Sequence, residues 1–168
     1  NKTFSFVLWK KGVYNLNENS VENWRSSEPH WSKLSKIPRA SETIAMTCDE
    51  KVLEIWSKGG GVIRYDVETG KIIGQEILQI DGLLNQVYKH KEHYLMLYNN
   101  TNIALYEEGR VLVNAKLSGP ISHAEWSELE QGWHIAGWRE LVFIASDNQK
   151  RTPLQEIAVF IDATNGLY

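Results

Sequence analysis

The chain has 168 residues, a formal net charge of −3 and a sequence pI near 6.0. Its 42% hydrophobic and 23% charged content exclude a disordered or fibrous class, and the length suits one domain, residues 1–168, with its own core. The mild acidity argues against a nucleic-acid or anionic-membrane binder and permits a basic protein partner.

Alternation of short period dominates from the start, as in strands. Thr3–Trp9 and Gly12–Leu16 read as a first pair, turned by Lys10-Lys11-Gly12. From Ser20 to Ser41 the pattern breaks into Ser, charged residues, Trp24, Pro29, His30, Trp31 and Pro38. Each proline restricts the residue before it, so no long helix is expected there. A connection of this length without its own secondary structure is functional or mobile.

The middle is regular. Thr43–Thr47, Val52–Trp56, Val62–Val67 and Lys71–Leu78 form a four-stranded meander, reversed at Asp49-Glu50 and at Gly59-Gly60-Gly61. Leu84–Tyr88, Tyr94–Tyr98, Ile103–Tyr106 and Arg110–Leu117 repeat the order, with an Asn-rich turn at Asn99–Asn102. A third set runs His123–Leu129, Trp133–Trp138, Leu141–Ala145 and Ile157–Ile161, with Ser146–Pro153 as an expanded polar loop.

A strand closing on an acidic residue and then glycine recurs. It is Val62-Ile63-Arg64-Tyr65-Asp66-Val67-Glu68-Thr69-Gly70-Lys71, then Ile103-Ala104-Leu105-Tyr106-Glu107-Glu108-Gly109, then Val159-Phe160-Ile161-Asp162-Ala163-Thr164-Asn165-Gly166. Tyr65 and Tyr106 lie 41 residues apart, and a period near 40 built of short strands is the mark of propeller blades. Four units of that length fill the chain. The expected fold is therefore all-β, a small β-propeller-like domain of about four blades. A β-sandwich or open barrel made of the same meanders is the alternative.

Asp66-Val67-Glu68-Thr69-Gly70-Lys71 resembles the Asp-x-x-Thr-Gly-Lys turn of quinoprotein-like and WD-type propeller repeats. The resemblance implies a fold and no chemistry. The tryptophans on which quinoprotein blades dock are not regularly placed here, so no cofactor is implied.

Motifs that carry chemistry are absent or better explained as structure. Gly59-Gly60-Gly61 and Gly70-Lys71 lack the spacing and the Ser or Thr of a phosphate loop and sit among strands, so they read as hairpin turns. His90-x-x-His93 has metal-ligand spacing but no second close pair, and solvated histidines at strand ends explain it. Cys48 lies at a strand, where a free cysteine is expected as a small buried hydrophobe. Asp49-Glu50 and Glu107-Glu108 read as solvated turn residues. No catalytic, cofactor-binding or metal-binding residue is assigned, and no small-molecule substrate is evident.

A lone cysteine can form no internal disulfide, which favours a reducing, cytoplasmic setting. Asn99-Asn100-Thr101 matches a glycosylation acceptor, a pattern short enough to arise by chance. No stretch approaches the roughly 18–20 apolar residues of a membrane-spanning helix.

Seven tryptophans are the richer signal. Trp9 and Trp56 alternate with apolar neighbours and are expected in the core. Trp24, His30 and Trp31 in the irregular stretch supply aromatic rings, and Glu125, Trp126, Glu128 and Glu130 at a blade entry combine an aromatic ring with three carboxylates. Aromatic residues dominate interface energies and charges speed encounter, so these seven are the expected partner-binding residues. In size, acidity and lack of chemical motifs the chain resembles in type the immunity proteins of bacterial contact-dependent growth inhibition systems. That resemblance implies a non-enzymatic binder that occludes a basic toxin domain such as a nuclease. The alternative is a propeller scaffold subunit mediating protein–protein interactions.

Overall fold

A computed structural model describes residues 2–31, 34 and 37–163. Among them the backbone forms fifteen strands and no helix. The chain divides into two compact units, Asn1–Leu84 and Asn85–Tyr168.

The N-terminal unit holds a three-stranded sheet, β1 (Thr3–Leu8), β2 (Gly12–Asn17) and β3 (Glu22–Ser26), and a four-stranded one, β4 (Thr43–Cys48), β5 (Val52–Ser57), β6 (Gly61–Asp66) and β7 (Ile72–Ile77). Both are meanders in which consecutive strands pair antiparallel. Leu53–Ser57 are buried without a break, Glu54 and Ser57 included, so β5 is covered on both faces. Val13, Trp24, Trp31, Leu53, Ile55, Ile63 and Tyr65 form the core of this unit.

On the opposite face of β5 from Leu53 and Ile55 sits a buried charge. Glu54 is 1% exposed and accepts from Arg64 Nε at 3.0 Å and from the Thr47 hydroxyl at 2.8 Å. Arg64 in turn reaches Glu76 at 3.1 Å. A buried carboxylate is tolerable only when paired and hydrogen-bonded in this way.

The C-terminal unit is built alike. One sheet orders β8 (Leu84–His90, starting at the unit boundary), β9 (His93–Tyr98), β10 (Asn102–Glu107) and β11 (Arg110–Lys116). The other orders β12 (His123–Ser127), β13 (Gly132–Gly137), β14 (Glu140–Ile144) and β15 (Gln149–Pro153). Leu95, Leu97, Ile103, Leu105, Trp133, Ile135, Val142 and Ile144 pack together between them.

The acidic turn has a physical reason. Asp66 Oδ1 accepts from the Thr69 amide at 2.8 Å and its hydroxyl at 2.7 Å, while Gly70 takes φ +67°. These bonds hold the Asp66 carboxyl below its ordinary range. Asn17 does the same work after β2, accepting from the amides of Asn19 and Val21.

A second repeat, invisible as a motif, seals the sheets. The leucine directly after each fourth strand donates its N–H to the last residue of the turn between the second and third strands. Leu78 bonds Gly60 at 3.0 Å, Leu117 bonds Thr101 at 2.8 Å, and Leu154 bonds Arg139 at 2.8 Å.

Five expectations need correction. The irregular stretch from Ser20 contains a strand, β3, whose polar residues pair with β2; residues 32–33 and 35–36 of that stretch lie outside the described residues. The polar loop Ser146–Pro153 is mostly β15, paired with β14 from Glu140↔Pro153 to Ile144↔Gln149. Ile157–Ile161 is not the fourth strand of its sheet, because β15 already occupies that edge. The last acidic–glycine turn falls on Thr164–Gly166, outside the described residues. Cys48 is exposed at the end of β4, its thiol against the Asp49 carbonyl. Trp9 is in a turn and 81% exposed, whereas Trp56 is fully buried.

Candidate interaction site

The seven expected binding residues fall into different roles. In the N-terminal unit, Trp24 projects from β3 into the core and is 8% exposed. Its Nε1 donates to the Val67 carbonyl at 2.7 Å, and its ring stacks on Tyr65 at 6.4 Å. A Cβ on Gly70 would stand 2.4 Å from this indole, so the glycine makes room for the ring as well as for the turn. Trp31 is also buried and presses on Gly61, with its Nε1 lacking a partner. His30 is exposed and its carbonyl accepts from Gln75.

In the C-terminal unit the structure brings Trp126 and Glu128 together and sends Glu125 and Glu130 elsewhere. Glu125 accepts from the Ala163 amide at 2.9 Å, and Glu130 pairs with His134 at 2.7 Å. Trp126, on β12, lies opposite Trp133 of β13, edge-on at 5.7 Å. Two imidazoles stack on its indole, His93 at 4.3 Å and His90 at 5.4 Å. The β8–β9 hairpin carries both histidines, which explains their spacing without a metal. Among the described residues no three His, Cys, Asp or Glu converge as a metal site.

Each histidine has a carboxylate. His93 Nδ1 lies 3.1 Å from Glu107, its partner across the β9–β10 ladder. His90 Nε2 lies 2.9 Å from Glu128 Oε1, which also accepts from Lys91 Nζ at 2.7 Å. The Lys91 bond, with help from His90 and Gln131, draws the Glu128 carboxyl from an ordinary 4.5 down to about 2. The site is thus a ring of hydrogen-bonded carboxylates, imidazoles and one ammonium around a half-buried indole whose own N–H has no acceptor.

Beside the ring is a cavity of about 200 Å³, lined by His93, Leu105, Glu107, Trp126, Gln131 and Trp133 among others. Small-molecule pockets usually run to several hundred Å³ or more, so this one suits a single side chain. Its lining sets buried Leu105 and Trp133 beside the polar Glu107 and Gln131, a mixture that suits an interface anchor point. Sequence reasoning found Trp126 and Glu128 here but missed Glu107 and Gln131, and it read His90 and His93 as solvated. The missing signal was the strand register that places them around one ring.

No protein-family model matches the chain, and no curated protein does either. Solved structures do. The WD40 domain of SCAP from fission yeast matches with a TM-score of 0.59 at 16% identity, over 90% of this chain and 41% of that one. A chain of the Mitotic Checkpoint Complex matches with a TM-score of 0.62 at 11% identity, over 88% of this chain and 47% of that one. The computationally designed Ika8 protein matches with a TM-score of 0.63 at 8% identity, over 94% of this chain and 48% of that one. The chain spans less than half the length of each. With its four-stranded meanders, this likeness makes the fold β-propeller-like.

Proposed function

We infer that this chain is a protein-interaction module, a β-propeller-type scaffold whose rigid hairpins present binding residues to a partner. The observation that carries the reading is the likeness, over about nine-tenths of the chain, to a WD40 domain and to a chain of the Mitotic Checkpoint Complex. The Trp126 cluster supports it and gives it a place. A half-buried aromatic beside a side-chain-sized cavity, surrounded by charges, is where interface energy concentrates. Trp24 and Trp31 take no direct part in this reading, because their rings belong to the core of their own unit.

The toxin-neutralising reading draws no support from the comparisons, and the scaffold reading stands ahead of it. In either case the partner is a protein. The test is capture of partners from the source cell by the full chain and by Glu128→Lys, which reverses the charge that holds Lys91 and His90. The same protein should be enriched with the wild type and depleted at least about tenfold with the variant. Equal capture by both would remove the Trp126 cluster from the interface.

A further inference from the structure

The sheets share one plan, and among the described residues two pieces of it lack their complement. β5, β9 and β13 are the second strands of their sheets, and each lies between two neighbours. β1 is their counterpart. Residues 9–11 lead from it to a strand opening on Gly12, as residues 58–60 lead from β5 to Gly61, and Asn17 then caps its turn as Asp66 does. Yet among the described residues β1 has only β2 beside it. The consequence shows in its burial: β13 is buried throughout, whereas Phe4 and Leu8 of β1 are exposed by nearly half. A bare strand edge with an apolar face is a template for another strand.

The second piece is at the other end of the described chain. Leu78 and Leu117, the sealing leucines, open connections of residues 78–83 and 117–122 that run into the first strands β8 and β12. Leu154 seals its sheet by the same bond. An equal interval after β15 arrives at Phe160-Ile161-Asp162-Ala163, in the chain position of a first strand but outside any ladder. The segment lies along its own sheet. Phe160 stacks on His123 at 4.3 Å, Ala163 is held by Glu125, and Ile161 is buried in a cavity of about 430 Å³ that His134 and Phe143 also line. Val159 and Phe160 nonetheless stay 77% and 68% exposed.

We propose that residues 157–163 of one copy add to β1 of a second copy as the first strand its sheet lacks. The sequence Ile157-Ala158-Val159-Phe160-Ile161 has the β-branched and aromatic content of a strand. The acceptor supplies the outer backbone edge of β1, which pairs with no strand among the described residues, and the exposed side chains of Phe4 and Leu8.

The experiment is sedimentation equilibrium on the full chain, with Val159→Pro and Phe4→Glu as variants. Proline removes a ladder donor at an exposed position outside the strands, and glutamate puts a charge on the apolar face of β1. The wild type should sediment at twice its 19.3 kDa mass. Each variant should self-associate at least about tenfold more weakly, with an unchanged far-UV spectrum. A monomeric wild type at high micromolar concentration would overturn the proposal. So would a dimer that both variants leave intact.

Discussion

Trp24 gives the sharpest contrast between a binding residue and a core residue. Trp24→Ala removes a ring that stacks on Tyr65, covers Gly70 and donates to the Val67 carbonyl. Buried Trp→Ala changes cost about 3–5 kcal/mol, because a cavity remains where the ring was. With a urea m-value of about 2 kcal/mol/M, the midpoint should fall by about 1.5–2.5 M at unchanged slope. Urea unfolding followed by circular dichroism reads this directly. Trp9→Ala is the control, since an indole 81% exposed should change stability by no more than about 0.5 kcal/mol. A midpoint shift for Trp24→Ala no larger than that of the control would refute the core assignment, the more so if partner capture fell.

Other expected outcomes follow from the same geometry. Arg64→Met should destabilise by about 3–5 kcal/mol, since it removes the cation paired with the buried Glu54 carboxylate, while adding Glu54→Leu should recover most of that loss; unfolding of the two variants separates the lost ion pair from a general packing defect. The Glu128 carboxyl, lowered in the fold, contributes stability above its ordinary 4.5 that is lost as pH falls through about 2. Carboxyl NMR should show this titration, and Lys91→Ala should move it up toward 4.5. Gly119→Ala places a Cβ 2.4 Å from Trp138 and should cost about 1–3 kcal/mol by overpacking, measured by thermal unfolding. Partner association should slow as salt rises, because exposed charges are screened beyond about 8–10 Å; a salt-independent on-rate in stopped flow would exclude steering by the Glu128 and Lys91 charges.

The inner strands were legible because burial writes itself into composition. Tyr94 to Leu97 is an apolar run, Leu53 to Trp56 is apolar but for Glu54, and the Asp66 turn announces its own geometry. The edge strands were not. β3 buries one large side chain, Trp24, among Glu22, Asn23 and Arg25, so it shows no alternation. β15 is exposed at every residue and exists through its ladder to β14, a backbone property that side chains do not record. Ile157–Ile161 misled for the opposite reason: its residues are strand formers, but no sheet edge of its own unit accepts it. The interaction site was half visible. Trp126 and Glu128 are close in sequence, whereas His93, Glu107 and Gln131 reach the same indole and cavity only through register and turn geometry.

Hydrogen–deuterium exchange of the full chain, alone and with its captured partner, tests the interaction site most directly. Protection should appear at Lys91–His93, Trp126–Gln131 and Ser146, the hairpin ends around the Trp126 indole and its cavity. Protection confined to other hairpins, with these amides unchanged, would contradict the assignment.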